Sequence, residues 1–509
     1  MYSGKPDQGQ TTASDASCFN EVRNGAFSIS NGYFKLSIII LMGYFGLRLL
    51  FLAIYISPLI PPDEITHFGI CEIFSRVPFL PSNSPASYQF GLVTNIPWLY
   101  YWIMGKLLAL NFTWASDLLF LRLLNIPLAF AFVFFVWRTL TLITDDRLSQ
   151  ILVITAMTNT MMLTFLSAFV SYDNLTNLLA AMSVYYLLFF FENRSASMLM
   201  LSILCQLAGC LTKFTFLPLA LALTCVLLVH ESKNLRELTA TILAFVRNPT
   251  FSAIMLTLAI LIGMALNTQL YGGNYIRYGA VTLETTDVLP LEHALKYRLT
   301  ARGYIFNLFK EGQISREKAL EMTSLIPHSG DRSDAVFMIE NYTRLKNGEN
   351  HIMGLPEYIP LWVERMAAGV FGIFAHLQIA NNWPNIAPIA ILALMTLLAF
   401  VLRWRPRDAN CLTNYMAVIA IFYTVVLLYL VNYREYLSNG APFVALQGRY
   451  IFPVLGLIYV LSSYYLMQLF KGRTLRMTLF VMAVIIFIMC DFPLFIAKVT
   501  PDWTYWPPS

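Results

Sequence analysis

Runs of about 20 predominantly apolar residues recur along this 509-residue chain, each long enough to cross a bilayer as a helix. No other feature constrains the fold as tightly. A backbone in hydrocarbon must satisfy its own hydrogen bonds, which it does as helices or as a closed barrel. A barrel would show short segments of alternating polarity, and these are absent from the sequence. With 57% of residues hydrophobic and 12% charged, the chain is also far from the balance of a water-soluble domain. An all-α polytopic membrane protein is expected.

The apolar runs predict about eleven crossings, near 34–57, 118–137, 149–169, 174–191, 196–211, 214–230, 250–268, 385–402, 412–431, 450–470 and 475–497. Residues 1–33 are polar, with no apolar core near Met1, so they read as a cytosolic tail rather than a signal peptide. A first loop, 58–117, carries the aromatic stretch Pro97-Trp98-Leu99-Tyr100-Tyr101-Trp102, which suits an interfacial helix better than a crossing. A polar segment, 271–365, has mixed charges and short helical patterns such as Ser315 to Met322, and reads as a small folded subdomain. Residues 366–380 read as interfacial or re-entrant. The organisation expected is an N-terminal transmembrane module 34–270, the loop subdomain 271–365, a C-terminal transmembrane module 366–498 and a tail 499–509.

Loop charges orient this layout. Arg138, Arg147, Arg194, Lys233, Arg236, Arg247, Arg403, Arg405, Arg407, Lys471, Arg473 and Arg476 fall on one side, twelve in all. The other side, the long loop aside, holds seven: Arg76, Lys106, Arg122, Lys213, Arg434, Arg449 and Lys498. The positive-inside rule then puts the N-terminus in the cytosol and the loops 58–117 and 271–365 outside. The net charge of +5 fits basic cytosolic loops, and no long basic run suggests nucleic acid. The seven cysteines form no CxxC pair, so neither a zinc ribbon nor a disulfide framework is implied.

The unusual polar residues gather on the outer side. Pro61-Pro62-Asp63-Glu64 follows the first crossing, with His67 one helical turn later. Prolines stop one helix and can start another, and carboxylates are favoured in a first turn by the helix dipole. Residues 63, 64 and 67 can share one helical face. The same pattern would also suit a plain helix cap with a satisfied histidine. Arg122 lies near the start of the second crossing, Tyr172-Asp173-Asn174 follows the third, and Lys213 sits in the gap after the fifth. Gln447-Gly448-Arg449-Tyr450 opens the tenth. Each has a structural alternative: Asp173 as a helix cap, Lys213 snorkelling to the interface, Arg449 as an anchor, Arg122 as a packing residue. Asn341-Tyr342-Thr343 matches a glycosylation acceptor, a weak pattern by itself.

Carboxylates beside cations at one face suit group transfer from a lipid phosphate. A carboxylate can act as general base on an acceptor hydroxyl, while Lys and Arg hold the phosphate that leaves. There is no GxxxxGK[ST], GxGxxG, HExxH or GxSxG pattern, so no ATP, dinucleotide or zinc-protease chemistry is implied. Asp63, Glu64 and His67 are the residues a divalent cation would use, but three ligands without supporting spacing leave the metal open.

The acidic pair in the first outer loop, the Pro97-Trp98-Leu99-Tyr100-Tyr101 helix, Asp173 and Leu211-Thr212-Lys213 resemble the GT-C superfamily of membrane glycosyltransferases. More narrowly, Pro61-Pro62-Asp63-Glu64 with His67-Phe68, and Gln447-Gly448-Arg449-Tyr450 with Pro453, look like a family of bacterial membrane proteins of unknown function. The resemblance runs over about residues 34–500. It implies a GT-C-like fold, a polyprenyl-phosphate sugar donor and inversion at the anomeric centre. It also implies a site on the periplasmic face of a bacterial inner membrane. Asp63 would be the base and Glu64 its neighbour or a metal ligand. Lys213 and Arg449 would hold the donor phosphate, and Asp173 would shape the sugar or acceptor site; His67, Arg122, Tyr172, Gln447 and Tyr450 complete the substrate-binding set. The long polar segment departs from the pattern, since many members carry their soluble domain at the C-terminus.

The expected function is transfer of a sugar from a lipid-phosphate carrier to an O-antigen or similar envelope glycan. A polymerase or ligase using a lipid-diphosphate glycan is close in chemistry. A lipid or polysaccharide transporter would instead want charges in mid-span and a repeat with broken helices.

Overall fold

A computed structural model describes residues 29–504, apart from 113–114, 327, 375–376, 379–382, 405–411 and 445. Most of the expected tail 1–33, Arg405 and Arg407, and the end of the segment 499–509 lie outside the described residues. Apart from a two-residue strand pair, Ile373–Phe374 with Leu377–Gln378, the regular elements are helical. Among the described residues eight helices are long and apolar enough to cross a membrane, from Asn31–Tyr55 to Arg473–Lys498. Two bent pairs raise the number to ten if each is one span: Arg147–Thr158 with Met161–Ser167, bent by 66°, and Phe214–His230 with Leu235–Val246, bent by 116°.

Three of the eleven expected crossings account for the difference. Ala196–Cys210 has 15 residues, about 22 Å of helix, short of a hydrocarbon core of about 30 Å. The expected crossing 214–230 is one arm of a bent pair whose second arm falls where a loop was expected. The expected crossing 149–169 breaks at Thr158-Asn159-Thr160. There the side chains of Thr158, Asn159 and Thr160 donate to the carbonyls of Ile154, Thr155 and Ala156 at 2.8, 2.9 and 2.7 Å. Such side chains offer the backbone an alternative to the helical ladder.

That break frees a carbonyl within an apolar stretch, and a charge answers it. Arg48 donates to the Thr158 carbonyl at 2.6 Å and is ion-paired with Asp491, itself at the break after Arg473–Met489. Thr164 Oγ1 donates to the same carboxylate at 3.0 Å. Both charges are buried and fully partnered, the condition under which an intramembrane ion pair persists.

Within 271–365 the chain forms the helices Arg298–Lys310, Arg316–Thr323 and Ser329–Lys346. The second starts at Ser315, whose Oγ accepts from Lys318 N at 3.3 Å. Their apolar faces meet in a separate small core of Ile305, Phe306, Ala319, Met338 and Ile339, closed by Ala441 and Val444 from the segment that follows Leu412–Asn439. Asn341 is used structurally here: its side-chain amide donates to the Gly440 carbonyl, and its oxygen accepts from Asn350. A buried amide so engaged is not presented as a glycan acceptor.

Two close approaches position the site. Gly105 lets the helix Leu99–Leu108 lie against Glu64–Ser75, since a Cβ there would sit 2.7 Å from the Phe74 Cβ. Gly448 meets Gly369 of the helix Leu355–Phe371 backbone to backbone, and a Cβ on Gly448 would lie 2.3 Å from the Gly369 carbonyl carbon. Gly448→Ala is expected to cost about 1–3 kcal/mol by overpacking and to displace Arg449. A thermal melt alongside an activity assay checks both, and an unchanged variant would show that the contact is loose.

Candidate active site

The ends of four elements converge beside the first loop. The first is built by the prolines. The helix Glu64–Ser75 starts after the prolines rather than at them, with Asp63 not in its first turn but at its N-cap in the left-handed region, φ 60°. That conformation is uncommon for a residue with a Cβ. Asp63 makes no side-chain capping bond, so its carboxylate turns away from its own helix. Its Oδ2 accepts from Arg449 Nη2 at 2.6 Å and its Oδ1 from Arg298. Burial would raise the Asp63 pKa, but the Arg449 and Arg298 guanidiniums outweigh it and hold the carboxyl well below the usual range.

Asp173 is the second carboxylate. Ser171 caps the helix Tyr172–Asn193, which leaves Asp173 free to pair with Lys213 and to lie 3.8 Å from Arg449 Nη1. Lys213 does not snorkel: it is buried, with Nζ 4.6 Å from the Tyr172 ring centre and 5.3 Å from that of Tyr450. Its turn is held to the helix Leu99–Leu108 by Leu99 N donating to the Leu211 carbonyl at 2.9 Å. Gln447 Oε1 accepts from Arg449 Nε at 2.6 Å and so aims that guanidinium.

His67 closes the floor. Its Nδ1 is 2.8 Å from the Tyr101 hydroxyl, and its ring meets Tyr172 edge-on at 4.5 Å. Burial pushes the imidazole down to about 4, against the upward pull of Asp63, so it is neutral at neutral pH. Its Nε2 is buried with no hydrogen-bond partner among the described residues.

Glu64 and Arg122, both expected in the site, pair with each other instead of with the cluster around Asp63. Arg122 grips Glu64 bidentately, Nε to Oε1 at 2.9 Å and Nη2 to Oε2 at 2.5 Å. It also donates to the carbonyls of Ala53 and Ile56 at 2.9 and 2.8 Å, capping the first span with a cation at its negative end. Glu64 Oε1 accepts further from Val170 N at 3.0 Å. Each is 1% exposed or less, and the pair pins the first span, the start of the loop and the helix Asp117–Thr141 together. It follows that Glu64 diverges from Asp63 and His67. Among the described residues no group of three His, Cys, Asp or Glu is disposed to hold a metal ion.

The structure therefore unites Asp63, His67, Tyr172, Asp173, Lys213, Arg449 and Tyr450, with Gln447 behind them. It adds Arg298, which sequence reasoning missed. An arginine in a polar segment carries no local signal, and only its position in the fold marks it.

Fold and site together define an all-α, multi-span membrane protein with a buried, interlocked ion cluster at one end of its helices. No protein-family model matches the sequence, and no curated protein matches it. Among solved structures, the crystal structure of ArnT from Cupriavidus metallidurans in the apo state is similar, with a TM-score of 0.36 and 12% identity over 86% of this chain and 78% of that one. At that degree of similarity the functional reading rests on the geometry of the site.

Proposed function

We propose that this chain is a membrane glycosyltransferase. It moves one sugar from a polyprenyl-phosphate carrier to an envelope glycan, O-antigen or a similar lipid-linked polysaccharide, on the outer face of a bacterial inner membrane. The observation that carries the reading is the pairing of Asp63 with Arg449, beside Asp173 with Lys213, where the first loop meets the helix ends. In this mechanism the acceptor hydroxyl attacks the anomeric carbon from the face opposite the phosphate, and its proton passes to Asp63. The bond from that carbon to the phosphate oxygen breaks, and the electron pair leaves on the carrier phosphate. Lys213 and Arg449 take up the growing negative charge, which buried cations do more effectively than solvated ones. Glu64 holds the loop and takes no proton.

Both cations are balanced by carboxylates, so an arriving phosphate must exchange with a carboxylate. Purified protein in lipid is expected to gain thermal stability with a synthetic polyprenyl-phosphate sugar. Lys213→Ala and Arg449→Ala are both expected to lose that gain. A gain retained in both variants, or none in the parent with any carrier lipid, overturns the reading. The charged groups of the site lie at span ends rather than in mid-span, which does not favour transport; the buried pair Arg48 with Asp491 caps a helix break.

A further inference from the structure

The chemistry just proposed leaves Arg298 without a role and Asp63 without a free oxygen. One oxygen is held by Arg449 and the other by Arg298, so each oxygen already accepts a charge-assisted hydrogen bond that makes it a weaker base toward an arriving proton. Arg449 is fixed by Gln447 and faces Asp173 as well. Arg298 differs in two respects. It opens the helix Arg298–Lys310 in the outer segment rather than a membrane span. It also has a second anionic partner, Asp331, within that segment, where Arg302 and His328 stand 3.5 and 2.9 Å from the same carboxylate. Arg298 can leave Asp63 without becoming an unpaired charge, so the two arrangements differ by one ion pair rather than by a stranded guanidinium.

Exposure says where such a movement would matter. The side chains of Asp63 and Arg298 are 22% and 20% exposed, against 7% or less for Lys213, Asp173 and Arg449. The Asp63–Arg298 pair is the part of the cluster that meets solvent. We infer that Arg298 is a positioning residue that holds Asp63 out of use until substrate is seated, so that water is not taken as the acceptor. This rests on the glycosyltransfer reading. With Asp63 free and no glycan present, water would attack the anomeric carbon and give its proton to Asp63. The bond to phosphate would break, and free sugar and polyprenyl phosphate would be released. Keeping Arg298 on Asp63 blocks that loss, and withdrawal of Arg298 toward Asp331 admits the acceptor hydroxyl.

The test uses the full chain in lipid nanodiscs. Asp63 is labelled with a carbodiimide and glycine ethyl ester at one fixed pH and followed by peptide mass spectrometry in the parent, Arg298→Lys and Arg298→Gln. A lysine offers one point charge where arginine offers a fork, so labelling is expected to rise severalfold from parent to Lys and again from Lys to Gln. Release of free sugar from a polyprenyl-phosphate sugar, with no acceptor added, is expected to rise in the same order while transfer to acceptor does not. Equal labelling in all three proteins overturns the inference, and the Lys variant keeps the test alive if the Gln variant does not fold. Labelling that rises in a protein that turns over no polyprenyl-phosphate sugar upholds Arg298 as the restraint on Asp63 and removes the glycosyltransfer reading instead.

Discussion

Replacing Asp63 by Asn is expected to reduce sugar transfer by about 10²–10⁴-fold, the usual contribution of a positioned general base, while the protein still folds. Asn keeps the shape of the side chain and one oxygen acceptor for Arg449. Arg449 also keeps Asp173 and Gln447, and Arg298 keeps Asp331. No cation is therefore stranded, and the cost that follows removal of one partner from a buried pair is largely avoided. The measurement is initial-rate transfer with detergent-extracted or nanodisc protein, normalised to the folded fraction. Near-normal rates in this variant would sink the assignment of Asp63 as base.

The second large effect concerns its neighbour and has the opposite character. Glu64→Ala is expected to destabilise the protein by about 3–5 kcal/mol, because it leaves the Arg122 guanidinium buried with only carbonyls around it. Val170 N would lose its acceptor as well. The yield of folded, monodisperse protein after extraction should fall steeply, and Arg122→Ala should fall with it. A double variant should lose less than the sum of the singles, since the two residues act as one unit. If Glu64→Ala instead extracts normally and is inactive, Glu64 belongs to the chemistry and its pairing with Arg122 is incidental. The two adjacent carboxylates thus separate cleanly: one substitution removes rate and keeps the fold, the other removes the fold.

Much of the architecture follows from the sequence on its own. Apolar runs dictate helices, because hydrocarbon supplies no partner for a backbone N–H or C=O. Arg298 apart, the members of the ion cluster are also legible, since each interrupts or borders an apolar run where a charge is costly: Asp63 and His67 after the first, Asp173 and Lys213 in short gaps, Arg449 at the head of a late span. What adjacency in the chain could not decide was which way each side chain faces. Asp63 and Glu64 are neighbours, yet a left-handed residue at the helix start sends one toward Arg449 and the next toward Arg122.

Three features came from tertiary structure alone, each for a physical reason. The break at Thr158-Asn159-Thr160 reads as ordinary apolar helix until side chains compete for its carbonyls and Arg48, more than a hundred residues earlier, takes the freed one. Gly448 reads as one residue of the motif that opens the tenth expected crossing until the Gly369 backbone is found against it. Arg298 sits in a polar segment where an arginine costs nothing and signals nothing, and it gains its meaning from a contact 235 residues away with Asp63. Local sequence determines which residues are costly to bury. Only the packed fold decides which of them are buried together.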